Sequence, residues 1–124
     1  MNSKPVSALE EVETDLKVAI GHYLSWRSDG KEHVLSLYDD TVSWIAWNPD
    51  LFPRKFGRIQ RAILKRSFYI VYFLQEKERS LVLAVLDGRR KPAEIRGILR
   101  QRRKKGEPGA TDNPDDSQRL REDH

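Results

Sequence analysis

The chain has 124 residues, no cysteine, three histidines and a formal net charge of +4 at pH 7, a length that fits one domain with a modest core. Without cysteine, a disulfide framework, thiol chemistry and cysteine-ligated zinc are excluded, and the histidines lack metal-ligand spacing, so neither a metal nor a cofactor is expected. No apolar run reaches the ~18 residues of a membrane span, and residues 1–7 lack a signal-peptide core, so we expect a cytoplasmic protein without membrane contacts.

Two amphipathic helices are predicted in the first half of the chain. At roughly 100° per residue, one stripe collects the apolar residues of the first helix. The second helix is predicted from about Lys31 to Trp47, because Pro49 forces the preceding residue out of the helical region. Trp44 falls within its apolar arc, whereas Trp47 lies off it. Trp47 is therefore either packed beneath the following loop or an aromatic anchor for a partner chain. The stripe of the first helix consists of Leu9, Val12, Leu16, Ala19, Ile20, Tyr23 and Trp26.

Three consecutive strands are predicted next. The apolar runs 68–74 and 81–86 indicate a buried antiparallel hairpin, residues 61–66 indicate a third strand, and residues 5–8 form at most a weak edge strand. Pro92 begins a short helix. We therefore predict an α+β domain over residues 1–99, with the order (β)ααβββ, in which an N-terminal helical hairpin packs on a small antiparallel sheet and a short C-terminal helix follows. Residues 100–124 are predicted to be a charged, disordered tail.

Basic residues concentrate around the third strand and after the last one. Between Arg54 and Arg66 there are six basic residues and no acidic one, which favours an anionic partner. We expect these cations to gather on one docking surface. The alternative is that they are solvated charges that discourage aggregation at a sheet edge. The candidate binding residues are Arg58, Arg61, Lys65, Arg66, Trp47, Asp87, Arg89 and Arg90.

Several short motifs occur in a characteristic order along residues 9–92, and together they resemble the ParE branch of the RelE/ParE superfamily of type II toxin–antitoxin systems. The resemblance implies a small cytoplasmic toxin, of the kind involved in plasmid stabilisation, that is neutralised by a cognate ParD-like antitoxin whose C-terminal segment wraps its surface. ParE-like toxins are associated with poisoning DNA gyrase, whereas RelE-like toxins cut mRNA on the ribosome. The motifs are Asp15-Leu16, Ala19-Ile20 and Tyr23, residues 48–53, residues 61–66, Tyr69, Val71-Tyr72, and residues 82–92.

The chain departs from the family pattern at a position that bears on chemistry. Asp87 stands where relatives often carry histidine, and Ser67-Phe68-Tyr69 replaces a common Phe-Pro-Tyr step. Cleaving RNA requires a general base and acid besides phosphate-binding cations, and an aspartate is a poor acid at neutral pH. We assign no catalytic residue and favour a toxin that acts by binding. The alternatives are a ribosome-dependent mRNA endonuclease and a non-toxic relative that binds nucleic acid through residues 54–66 and 100–105.

Overall fold

A five-stranded sheet separates a helical hairpin on one face from a single helix on the other. The computed structural model describes residues 2–106, with side chains as far as Lys104. The chain also makes one 3₁₀ turn, Pro49–Leu51, between the second helix and the second strand. The elements in chain order are β1 (Val6–Ala8), α1 (Glu11–Leu24), α2 (Gly30–Trp47), β2 (Arg54–Phe56), β3 (Ile59–Ile63), β4 (Tyr69–Gln75), β5 (Ser80–Asp87) and α3 (Pro92–Gly106).

The strand order is β1-β5-β4-β3-β2. The predicted α+β architecture with its helical hairpin is confirmed, and the weak strand near Pro5 is real. The sheet is larger than predicted and mixed, because β1 pairs in parallel with β5, with Val6 opposite Ser80. Strand β2 was not predicted. It is three residues long and turns into β3 through Gly57, whose φ of 58° favours glycine.

Both faces of β4 and β5 are buried, which explains why these strands read as continuous apolar runs rather than alternating ones. Val71 and Phe73 face the helical hairpin, where they pack with Ile45 of α2. Ile70 and Tyr72 face the other way and pack with α3. These two hydrophobic clusters hold the sheet between its helical layers.

A buried ion pair closes the outer edge of β5, where strand β1 stops. Strand β1 pairs only with Ser80–Val82. Beyond that point the Asp15 carboxylate of α1 accepts a hydrogen bond from the backbone N–H of Val85 at 2.9 Å. It also accepts from both terminal nitrogens of Arg102, one at 3.0 Å, and Arg102 donates to the Leu83 carbonyl at 3.2 Å. This edge pair, Asp15 and Arg102, takes the hydrogen-bonding place of a missing strand and ties α3 to α1.

Helix α3 continues to Gly106, past the boundary at residue 99 that the sequence suggested. Arg102 explains the extension, since its guanidinium is held at the sheet edge. The rest of the predicted disordered tail, residues 107–124, lies outside the described residues. None of the helices described is long and apolar enough to span a bilayer.

Candidate functional site

A groove runs between α2 and the outer side of β3. It encloses about 430 Å³, and three of its apolar side chains are more than half exposed: Trp44 at 57%, Leu51 at 55% and Ile63 at 58%. Large apolar side chains clustered at this exposure mark interaction sites on soluble proteins. The residues that line this α2 groove are Leu37, Asp40, Thr41, Trp44, Leu51, Phe52, Ile63 and Lys65.

The open side of the α2 groove follows from the shortness of β2. Strand β2 pairs with β3 only through Gln60 and Ile59, so no strand among residues 2–106 lies outside Ile63. The buried Gln60 side chain donates to the carbonyl oxygens of Pro49 and Phe52, both at 2.8 Å. These bonds hold the 3₁₀ turn against the sheet, and that turn presents Leu51 to the groove.

Trp47 extends the apolar surface beyond the groove. Its ring meets the Trp44 ring edge-on, with 5.6 Å between centroids, and the side chain is 48% exposed. Of the two alternatives from the sequence, burial under the following loop is therefore wrong. Trp44 was expected to pack in the core with the rest of the apolar arc of α2, but it is 57% exposed. The arc is broader than the surface that α1 and the sheet cover.

The candidate cations of the third strand point to different parts of the molecule. Lys65 lies at the α2 groove. Arg61 pairs with Tyr72 across the strands and so shares the α3 face of the sheet. Arg58 lies at the opposite end of β3, where it donates to the Gln75 carbonyl at 3.2 Å.

The remaining candidates gather at the sheet end formed by the start of β4 and the end of β5. Arg89 makes two hydrogen bonds to the Asp87 carboxylate, at 3.0 and 2.7 Å, and its guanidinium lies 4.0 Å above the Phe68 ring. Arg90 contacts Glu94 at 3.2 Å. The hydrogen bonds from Arg89 hold the pKa of Asp87 below its usual value, although burial acts in the opposite direction. Asp87 therefore stays ionised at neutral pH.

Arg66 occupies the turn between β3 and β4, where its φ of 58° places it in the left-handed region. Arg58 and Arg66 thus flank a five-residue strand from opposite ends, about 16 Å apart along its axis. The prediction of one cationic docking surface is wrong, because Arg61 lies on the α3 face of the sheet, Lys65 lies at the α2 groove, and β3 separates Arg58 from Arg66.

The sequence assigned no role to His22, which the fold brings to the same sheet end. Its ring lies 6.2 Å from that of Tyr69, and burial, with Asp87 second, raises the pKa of the Tyr69 phenol. Tyr69 is only 7% exposed and keeps its proton at neutral pH. His22 is next in sequence to Tyr23, which belongs to the predicted apolar stripe of α1. This adjacency is the sequence signal that could have placed His22 near the sheet.

No protein-family model and no curated protein matches the sequence. Among solved structures, the fold is similar to that of a chain from the chromosomal ParDE toxin–antitoxin (TA) system of P. aeruginosa, with a TM-score of 0.52 and 16% sequence identity. The alignment covers 66% of this chain and 92% of the other. The chain therefore has a fold found in a toxin–antitoxin system.

Proposed function

We propose that this protein is the toxin of a type II toxin–antitoxin pair, of the ParE kind, and that its antitoxin binds in the α2 groove. The observation that carries the proposal is the exposure of Trp44, Leu51 and Ile63 around that groove, on a fold shared with a ParDE chain. The proposal includes DNA gyrase as the cellular target, which the sequence resemblance implies.

The groove offers what an amphipathic peptide segment requires. Trp44 and Trp47 are rigid aromatic anchors, the type of residue that dominates binding energy at protein interfaces. Beside them, no strand of residues 2–106 pairs with the outer side of β3 next to Ile63, where an extended segment can add main-chain hydrogen bonds. An antitoxin segment that covers these side chains removes their apolar surface from water.

The charges at the groove predict how the complex responds to salt. The charged residues that line it are Asp40 and Lys65. Because their charges have opposite sign, the groove has little net charge, and long-range electrostatic attraction of the antitoxin contributes little there. Affinity should come mainly from apolar burial, and raising the salt concentration should weaken the complex only modestly.

The sheet end supports action by binding rather than by RNA cleavage. Asp87 is held ionised by Arg89, and Tyr69 is buried and protonated. Neither is available as the general acid–base pair that cleavage through a 2′-hydroxyl requires. The rings of His22 and Tyr23 also lie at this end of the sheet, with their centroids 6.2 and 6.4 Å from that of Tyr69.

The proposal is tested by expressing the chain with and without the product of its neighbouring reading frame. We expect growth arrest with the chain alone, rescue by the neighbour and co-purification of both proteins. Trp44→Ala and Ile63→Glu should lose rescue and co-purification while remaining toxic. Trp26→Ala is the matched control, because Trp26 is 61% exposed but packs on Tyr23, away from the groove. An absence of arrest, or equal rescue of all three variants, contradicts the proposal.

The cellular target needs a separate measurement. Inhibition of gyrase supercoiling by the purified chain, relieved by the antitoxin, is the expected result. Primer extension on translated messages after induction provides the opposing outcome, since codon-phased cuts would assign the chain to the ribosome-dependent nucleases instead.

A further inference from the structure

Two turns are joined to each other at the sheet end. The turn between β3 and β4 contains Arg66 and leads into Phe68, and the turn after β5 contains Gly88 and Arg89. The Gly88 N–H donates to the Phe68 carbonyl oxygen at 2.7 Å. A Cβ at Gly88 would lie 3.2 Å from that oxygen and against the Ile70 side chain, so glycine allows this close approach. The two turns therefore present their side chains from one compact base.

Phe68 and Arg89 form an exposed stack on this base. The Phe68 side chain is 60% exposed, and the Arg89 guanidinium lies 4.0 Å above its ring, a distance at which a cation is attracted to an aromatic face. Asp87 fixes the other partner of the stack, since its carboxylate also accepts from the Arg89 backbone N–H at 2.9 Å. The stack is thus ordered before a partner binds, which lowers the entropic cost of forming an interface there.

The bonds to Asp87 leave part of the Arg89 guanidinium unused. A guanidinium has five N–H donors, and Asp87 accepts from Nε and Nη2. None of the described residues accepts a hydrogen bond from Nη1 of Arg89. Because the Asp87–Arg89 pair has no net charge, it gives little long-range attraction to a polyanion, but it offers positioned donors to an acceptor in direct contact.

Arg66 stands at a backbone position that favours glycine. Its φ of 58° equals that of Gly57 in the turn at the other end of β3. The chain thus uses glycine in one turn and accepts the steric cost of a Cβ in the other. Backbone strain of this kind is concentrated at functional sites. The Arg66 side chain is exposed and forms no ion pair with any residue that the structure describes, so it is available to a carboxylate of a partner.

We propose that Arg66, Phe68 and Arg89 form the surface with which the toxin binds its cellular target, and that the target is a protein with an apolar pocket bordered by carboxylates. Phe68 fills the pocket, and the two arginines donate to its border. A nucleic acid is disfavoured because the ionised Asp87 beside Arg89 repels phosphate. None of the three residues lines the α2 groove, so target and antitoxin contacts are separable by mutation. This inference rests on the proposed toxin function, but not on the identity of the target.

The test compares growth arrest by full-length variants expressed without the antitoxin, at equal protein levels. Arg66→Gly and Phe68→Ser should each raise the inducer concentration that half-arrests growth by at least about tenfold, because each removes an interface anchor. The urea midpoint of Arg66→Gly should equal or exceed that of the wild type, since glycine relieves the strain at this φ. Loss of arrest is then separated from loss of fold. Both variants should still co-purify with the product of the neighbouring reading frame.

Two control variants should arrest growth as the wild type does. Val18→Ser removes an apolar side chain that is 57% exposed on α1, and Arg66→Lys keeps the charge and the backbone cost at the turn. If the wild type arrests growth and is rescued, full arrest by Arg66→Gly and Phe68→Ser would overturn this inference alone.

The other outcomes identify a different occupant of the surface. Loss of co-purification in both variants would assign the surface to the antitoxin, and binding of labelled oligouridylate that both variants abolish would assign it to nucleic acid. Either result overturns the inference. An absence of arrest by the wild type refutes the proposed function, and this inference with it.

Discussion

The edge pair makes a strong prediction about stability. Arg102→Met should destabilise the fold by about 3 kcal/mol, the lower end of the cost of breaking a buried ion pair. The change removes two hydrogen bonds to Asp15 and one to the Leu83 carbonyl. It leaves a carboxylate side chain only 8% exposed, with the Val85 N–H as its remaining partner in the edge. Methionine retains most of the apolar stem, so the loss reports on the charge and its hydrogen bonds.

The lower end is appropriate because the Arg102 side chain is 17% exposed, so water partly solvates the pair. The measurement is urea unfolding followed by tryptophan fluorescence, with linear extrapolation to water. Arg100→Met is the matched control on the same helix, and as an exposed site it should change the free energy of unfolding by less than about 0.5 kcal/mol. Asp15→Ala combined with Arg102→Met should cost less than the sum of the single changes. A loss under about 1 kcal/mol for Arg102→Met would refute the reasoning.

Three further outcomes are expected. Gly21→Ala should stabilise the fold by about 0.5–1 kcal/mol, because the added methyl group in α1 meets nothing within 4 Å. Gly30→Ala should destabilise the fold, since its methyl group would lie 2.8 Å from a backbone atom of α1. Thermal unfolding of the two variants measures both effects. Arg89→Gln should lower the free energy of unfolding at neutral pH. The difference from wild type should vanish as the pH falls through the depressed pKa of Asp87, because a carboxylate with a lowered pKa stabilises the fold only while it is ionised. A difference that persists in acid would contradict this reasoning. Gln60→Leu should cost about 2 kcal/mol by removing the side-chain donor to the buried Pro49 carbonyl and the partly buried Phe52 carbonyl, as urea unfolding can measure.

The main architecture was predictable because its signals are local. The stripe of α1 and the apolar runs of β4 and β5 each lie within one segment, so helix and strand periods identify them directly. The short strands β1 and β2 were harder, since three residues carry almost no periodic signal. Their pairing depends on β5 and β3, which lie elsewhere in the chain.

The candidate sites were less predictable because they depend on packing between distant residues. Lys55 and Arg96 lie in separate elements, β2 and α3, and only the docking of α3 brings Arg96 over the Phe56 ring beside Lys55. Asp15 and Arg102 are 87 positions apart, and charge alone did not indicate their pairing. Conversely, the concentration of basic residues from Arg54 to Arg66 suggested one surface, but these residues are divided among β2, β3 and the turns at both ends of β3.

The position of β5 inside the sheet has a consequence for biosynthesis. This strand joins the N-terminal strand to the rest of the sheet, yet its residues, Ser80–Asp87, come late in the chain. Until they leave the translating ribosome, β1 lacks its pairing strand and α1 can pack on α2 but not on β5, so the nascent polypeptide waits for contacts that are distant in sequence. A product truncated before Ser80 therefore exposes the apolar stripe of α1 and becomes a substrate for chaperones and proteases.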